Sequence, residues 1–243
     1  MKASTRRLSF LLALLAPLAC FCQTEAQPPQ FAEAARSRPN SVLVFGGRLS
    51  TTDFSSTLLY NETYTASRPE IGEQPWDNHI AGVDYERDVL GLARDLGLRA
   101  EAGIDDRYGH YLVCCLIPLP GDPRTYPART VRTNGLVHSV ELWLGGKVRW
   151  ENFKLGGVGF EVAGTVGLSG VTRPIGRERQ RQISDHGNAH LLGFVAPELG
   201  VSLDAVPHFE LVARVMHRSG AGGTFGGIRE GYNADVLGIR YAF

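Results

Sequence analysis

Apolar and polar side chains alternate with a period of two through most of the chain beyond residue 40, the mark of strands whose two faces meet different surroundings. From Leu92 to Ile104 the even positions read Leu92, Arg94, Leu96, Leu98, Ala100, Ala102 and Ile104, while the odd positions carry Asp95, Arg99, Glu101 and glycines. Val140, Leu142, Leu144, Val148 and Trp150 alternate with Glu141, Trp143, Lys147, Arg149 and Glu151. Val158, Phe160, Val162, Val166 and Leu168 alternate with Glu161, Ala163, Thr165 and Ser169. Each segment exceeds a usual globular strand and has the length that a tilted membrane strand requires. The pattern predicts eight strands, at 41–50, 79–89, 92–104, 138–151, 157–171, 190–203, 207–219 and 232–243.

The connections alternate in length. They are long at 51–78, 105–137 and 172–189, medium at 220–231, and short at 90–91, 152–156 and 204–206. Short periplasmic turns and longer external loops follow this rhythm, so the predicted fold is all-β: an eight-stranded antiparallel transmembrane β-barrel with long external loops. In the last strand Leu237, Ile239, Tyr241 and the terminal Phe243 share one face, and Gly238 and Arg240 the other.

A barrel of eight strands is narrow enough for side chains to fill. The charges on the second parity, with Glu210, Arg214 and Arg240, are therefore expected to form an internal salt-bridge network and not a channel lining. The segment 108–135, with its Tyr111–Ile117 run and the prolines Pro118, Pro120, Pro123 and Pro127, departs from the barrel period and is expected to be a large external loop. Arg177 to Arg181 is expected to be a charged, solvated loop tip.

The N-terminus supplies the compartment. Lys2, Arg6 and Arg7 precede an apolar stretch, Leu8 to Phe21, too short to span a bilayer as a helix, which is the form of a secretory signal peptide. Thr24 and Ala26 mark cleavage after Ala26, so the chain divides into a signal peptide (1–26), a linker (27–40) and the barrel (41–243). Leu18-Ala19-Cys20 has part of a lipidation signal, but Pro17 stands where that signal needs leucine. Beyond the signal no apolar run approaches the roughly 20 residues of a membrane helix. Membrane insertion must then be as a closed barrel, and the expected location is the outer membrane of a Gram-negative bacterium. The 25 basic and 25 acidic residues leave no basic surplus, and no nucleic-acid partner is expected. Cys114 and Cys115, adjacent in an extended segment, point to opposite sides and are read as apolar fillers, not a disulfide.

One face carries candidate chemistry. Phe209, Leu211, Ala213 and Val215 form the lipid-facing side of their strand, and the same parity continues into His217 and Ser219. Because Phe243 closes the last strand on the periplasmic side, the strand before it runs outward, to the depth of the outer leaflet's head groups and acyl esters. Two strand rises separate the α-carbons of His217 and Ser219 by about 6–7 Å. A histidine at that reach can take the serine proton as the hydroxyl attacks an ester, then return it to the leaving alkoxide. A third group is needed to fix its tautomer.

The segment Met216-His217-Arg218-Ser219-Gly220, followed by a glycine-rich loop and a closing Arg240-Tyr241-Ala242-Phe243, resembles the PagL-type lipid A 3-O-deacylases. The resemblance implies an outer-membrane barrel that hydrolyses an acyl ester of lipopolysaccharide with a lipid-facing serine, histidine and glutamate, needing no metal or cofactor. Two positions depart from that pattern. Asn233 stands where the family places its acid, with Glu230 and Asp235 close by; strand parity favours Asp235 over Glu230, which lies on the other parity unless it belongs to the loop, and Asn233 can orient a histidine through its amide oxygen. Gly220 stands where the family carries an asparagine as oxyanion donor, a role open here to the backbone amides of Gly220, Gly222 or Gly223. The alternative is a non-catalytic structural or ligand-binding barrel, whose loops 51–78 and 105–137 meet a surface partner. A small pore would require an open lumen.

Overall fold

The computed structural model describes residues 38–50, 78–93, 95–116 and 128–243. The expected signal peptide and most of the linker and of the 51–78 loop lie outside them. Eight strands, β1 (Asn40–Ser50), β2 (Asn78–Gly91), β3 (Leu96–Leu116), β4 (Ala128–Leu155), β5 (Val158–Val171), β6 (Leu191–Leu203), β7 (Phe209–Ser219) and β8 (Asn233–Ala242), pair in sequence order and close into an antiparallel barrel. Within the barrel wall each strand is paired on both sides, so closure leaves the wall without an edge.

One expectation holds only in part. Of the segment 108–135, expected as a large external loop, the described portions are strand: β3 and β4 continue past the barrel wall as a ladder, through Leu112 opposite Arg132 to Leu116 opposite Ala128, with a register shift between His110 and Leu112. All four prolines fall between Leu116 and Ala128, so none interrupts the hydrogen-bonded pairs. Cys114 and Cys115 occupy successive ladder positions opposite Thr130 and Arg129.

The register fixes the tilt. Directly paired residues lead from Asn40 through Arg87, Ala100, Gly146, Val166, Val195, His217 and Asn233, and arrive back on β1 at Ser50. A circuit thus climbs ten positions along β1, and the strands tilt by roughly 40° from the barrel axis. The circuit climbs toward the end that carries the long connections, and the start of β1 and Phe243, hydrogen-bonded to one another, lie at the opposite, short-turn end.

Strand parity separates the two faces. Outward residues are apolar and exposed: Leu144 and Val166 are each 66% exposed, and Leu142, Leu199, Leu211, Leu237 and Ile239 are also uncovered. A continuous apolar wall of this extent is stable against lipid and not against water. At the short-turn end it is bounded by ring contacts between Phe209 and Tyr241 (5.2 Å), Tyr241 and Phe243 (6.0 Å), and Phe153 and Phe160 (5.5 Å), an aromatic girdle.

The inward face bears out the expected salt-bridge network. Glu198 binds Lys147 at 2.6 Å, Arg214 at 2.5 Å and Arg240. Glu86 is shared by Lys147 (2.7 Å), Arg99 (2.9 Å) and Arg240 (2.9 Å), and Glu101 by Arg214 (3.0 Å), Thr165 (2.7 Å) and the Trp143 indole (2.9 Å). Glu161 and Glu210 hold Arg240 and Arg149. Burying these charges costs several kcal/mol each, offset because every group meets several partners of opposite sign. Asp95 and Glu151 lie at the short-turn mouth instead, where Glu151 still meets Arg149.

The 172–189 connection also departs from expectation. Residues Gly176–Ser184 form a helix, α1, and its tip is not wholly solvated: Glu178 is fully buried and binds Arg107 (3.2 Å) and Arg218 inside the barrel. Ile175, 1% exposed, enters beside it. The two buried arginines demand an anion, and one turn of helix delivers it, so α1 caps the long-loop end.

Candidate functional site

β7 places His217 and Ser219 by simple alternation. Glu210, Val212, Arg214, Met216 and Arg218 are buried in the lumen, which turns Phe209, Leu211, Ala213, Val215, His217 and Ser219 outward. Arg218, between the two candidate residues, is anchored inside by Glu178 and by the carbonyls of Ser169 (3.2 Å) and Ala189 (3.0 Å). That anchorage fixes the backbone of both.

Asn233 opens β8 directly opposite His217. Its amide oxygen lies 2.6 Å from His217 Nδ1, and Asn233 is 1% exposed. An amide oxygen only accepts, so the Nδ1–H donates and the proton is held on that nitrogen. Nε2 is left with its lone pair. This is the tautomer that a general base requires.

Ser219 stands two positions on, across from Gly193 of β6. Its Oγ accepts the amide N–H of Ala221 at 3.1 Å, and among the described residues the serine makes no hydrogen bond to His217. The loop that supplies this amide is a tight 3-10 turn, Ala221–Gly223, with Ala221, Gly222 and Gly223 all at positive φ (49°, 69° and 102°). Of the amides expected as oxyanion donors, that of Gly223 is committed to the Gly220 carbonyl at 3.1 Å. Gly220 itself is a packing position: a Cβ there would meet the Ile228 carbonyl oxygen at 1.8 Å.

Glu230 does not reach the imidazole as a partner of the kind that Asn233 provides. It pairs with Arg181 of α1 at 2.9 Å, and that guanidinium also holds the Gly231 carbonyl at 2.6 Å. Both groups are close enough to act on His217 electrostatically. Asp235 shares the outward face, as parity requires, but lies opposite Val215, one outward position nearer the apolar wall, and its Oδ1 is buried without a hydrogen-bond partner among the described residues. The structure therefore brings together His217, Asn233 and Ser219 at one lipid-facing corner, and leaves Glu230 and Asp235 at its margins.

Two contributors were not singled out from sequence. The Ala221 amide was not, because no residue type announces a backbone donor. The charge run around Arg181 points only to a solvated tip, and the docking of α1 shows that this residue ties the helix to the start of β8.

No family model matches the sequence, and no curated protein matches it. Among solved structures the chain is similar to the outer membrane enzyme PagL, at 9% identity and a TM-score of 0.49 over 84% of this chain and 99% of that one. It is also similar to Neisserial surface protein A, at 9% and 0.42 over 84% and 97%, and to the Yersinia pestis outer membrane protein Ail, at 10% and 0.39 over 85% and 99%.

Proposed function

We propose that this protein is an outer-membrane barrel that hydrolyses an acyl ester of lipid A, the membrane anchor of lipopolysaccharide, from the lipid-facing side of its wall. The observation that carries this reading is the His217–Asn233 hydrogen bond, which sets a base-competent imidazole two positions from a serine at the long-loop end of the apolar wall.

In this mechanism Ser219 Oγ turns from the Ala221 amide and attacks the ester carbonyl carbon, while its proton passes to His217 Nε2. The released Ala221 N–H then faces the developing oxyanion. Collapse of the tetrahedral intermediate breaks the bond to the sugar oxygen, which takes the proton from Nε2 and leaves an acyl-serine. A water molecule, deprotonated by the same nitrogen, attacks the acyl carbon and frees the fatty acid and Ser219. Asn233 holds the imidazole throughout. Lacking charge, it stabilises the imidazolium less than a carboxylate does.

The test is a lipid A mass spectrum with and without the purified barrel. Loss of one acyl mass with the wild type, and none with Ser219→Ala of unchanged fold, supports the reading; an unaltered spectrum with wild type overturns it. A second reading, a non-catalytic barrel, is favoured by the present engagement of Ser219 with Ala221 in place of His217, and an unaltered spectrum selects it.

A further inference from the structure

Arg48 breaks the apolar wall. On β1 the even positions face outward, and Val42, Val44 and Gly46 lead along that face to Arg48, which is exposed. Its ladder partners on either side are Asp235 of β8 and His79 of β2. Among the described residues no ion pair or hydrogen bond is made by its guanidinium. An arginine on a lipid-facing strand is unfavourable at the bilayer midplane and tolerable only where it meets polar head groups.

Its depth follows from the register. Two inter-strand spacings, across β8, separate β7 from β1 in the direction in which a paired row climbs, so moving from His217 through Asn233 to Ser50 rises by roughly 6 Å at a strand spacing of about 4.8 Å. Stepping back along β1 from Ser50 to Arg48 descends by roughly 5 Å. The two displacements nearly cancel. Arg48 and His217 thus lie at one membrane depth, about 12 Å apart along the wall.

We propose that Arg48 anchors a phosphate of the lipid head group whose acyl ester is presented to Ser219, so that it positions a phosphorylated glycolipid against the site. This rests on the hydrolase reading. A guanidinium binds a phosphate through two parallel N–H donors, and its shared depth with His217 sets it where head groups lie when an ester reaches the site. His79, stacked on Tyr108 at 5.4 Å, flanks it and limits lateral movement.

The experiment measures binding to the full-length Ser219→Ala barrel in detergent micelles, with diphosphorylated lipid A, its dephosphorylated counterpart, and inorganic phosphate as probes. Arg48→Gln is expected to weaken binding of diphosphorylated lipid A roughly five- to twentyfold, to leave the dephosphorylated lipid unchanged, and Arg48→Lys to recover part of the affinity. Heat-modifiable gel migration confirms that each variant is closed. Equal binding by Arg48→Gln, or an equal loss for both lipids, overturns the proposal. Saturable Arg48-dependent binding of inorganic phosphate overturns it by assigning the position to the free ion. If the wild type releases no fatty acid while the phosphate-dependent loss in Arg48→Gln stands, the hydrolase reading fails and the head-group site survives. If hydrolysis is found, Arg48→Gln should raise KM for phosphorylated substrate and leave kcat unchanged.

Discussion

His217 Nδ1 and Asn233 Oδ1 lie 2.6 Å apart across the β7–β8 ladder, and this pair decides the state of the imidazole. Asn233→Ala removes the acceptor and frees the ring to take the other tautomer. Fatty-acid release is expected to fall about ten- to a hundredfold, mainly in kcat. Asn233→Asp supplies the missing charge and is expected to raise kcat about tenfold. Single-turnover release of fatty acid from lipid A checks both, and an increase on Asn233→Ala would refute the orienting role.

Gly220 joins β7 to the turn that holds Ser219. Because an added Cβ meets the Ile228 carbonyl oxygen at 1.8 Å, Gly220→Ala must displace the loop that carries the Ala221 amide. The expected outcome is a destabilisation of about 1–3 kcal/mol with loss of hydrolysis. Thermal denaturation in detergent, read beside activity, checks it.

Glu198 is the hub of the lumen, meeting Lys147, Arg214 and Arg240. Glu198→Ala leaves buried cations undercompensated and is expected to cost about 3–5 kcal/mol. Urea unfolding of the refolded barrel measures it. Glu210→Ala, at the rim of the same network, should cost less.

Glu178 joins α1 to the two buried arginines Arg107 and Arg218. With Glu178→Ala the helix loses that anchor, and trypsin should cut among Arg177, Arg179 and Arg181 several times faster than in the wild type. Limited proteolysis followed by mass spectrometry reads the site. An unchanged rate would show that Arg181, through Glu230 and Gly231, suffices to hold the helix.

The network also fills the interior. Trp143, 3% exposed, stacks on Phe194 at 5.6 Å across a lumen crowded by paired charges. Planar-bilayer recordings are therefore expected to show no conductance steps.

The sequence by itself determined the strands, the face of each residue and the assignment of charges to the lumen, because alternation is local and one face of each strand meets lipid while the other meets the barrel interior. It determined that His217 and Ser219 end an outward row. What only the tertiary structure decided was non-local: that β3 and β4 run on as a ladder, that α1 carries Glu178 into the mouth, and that Arg181 takes Glu230. It also decided between Asn233 and Asp235 as the partner of His217. Both residues share the outward face of β8, and parity cannot separate them. The β7–β8 register does, because a shift of two positions keeps every side chain on its face while changing which one it meets.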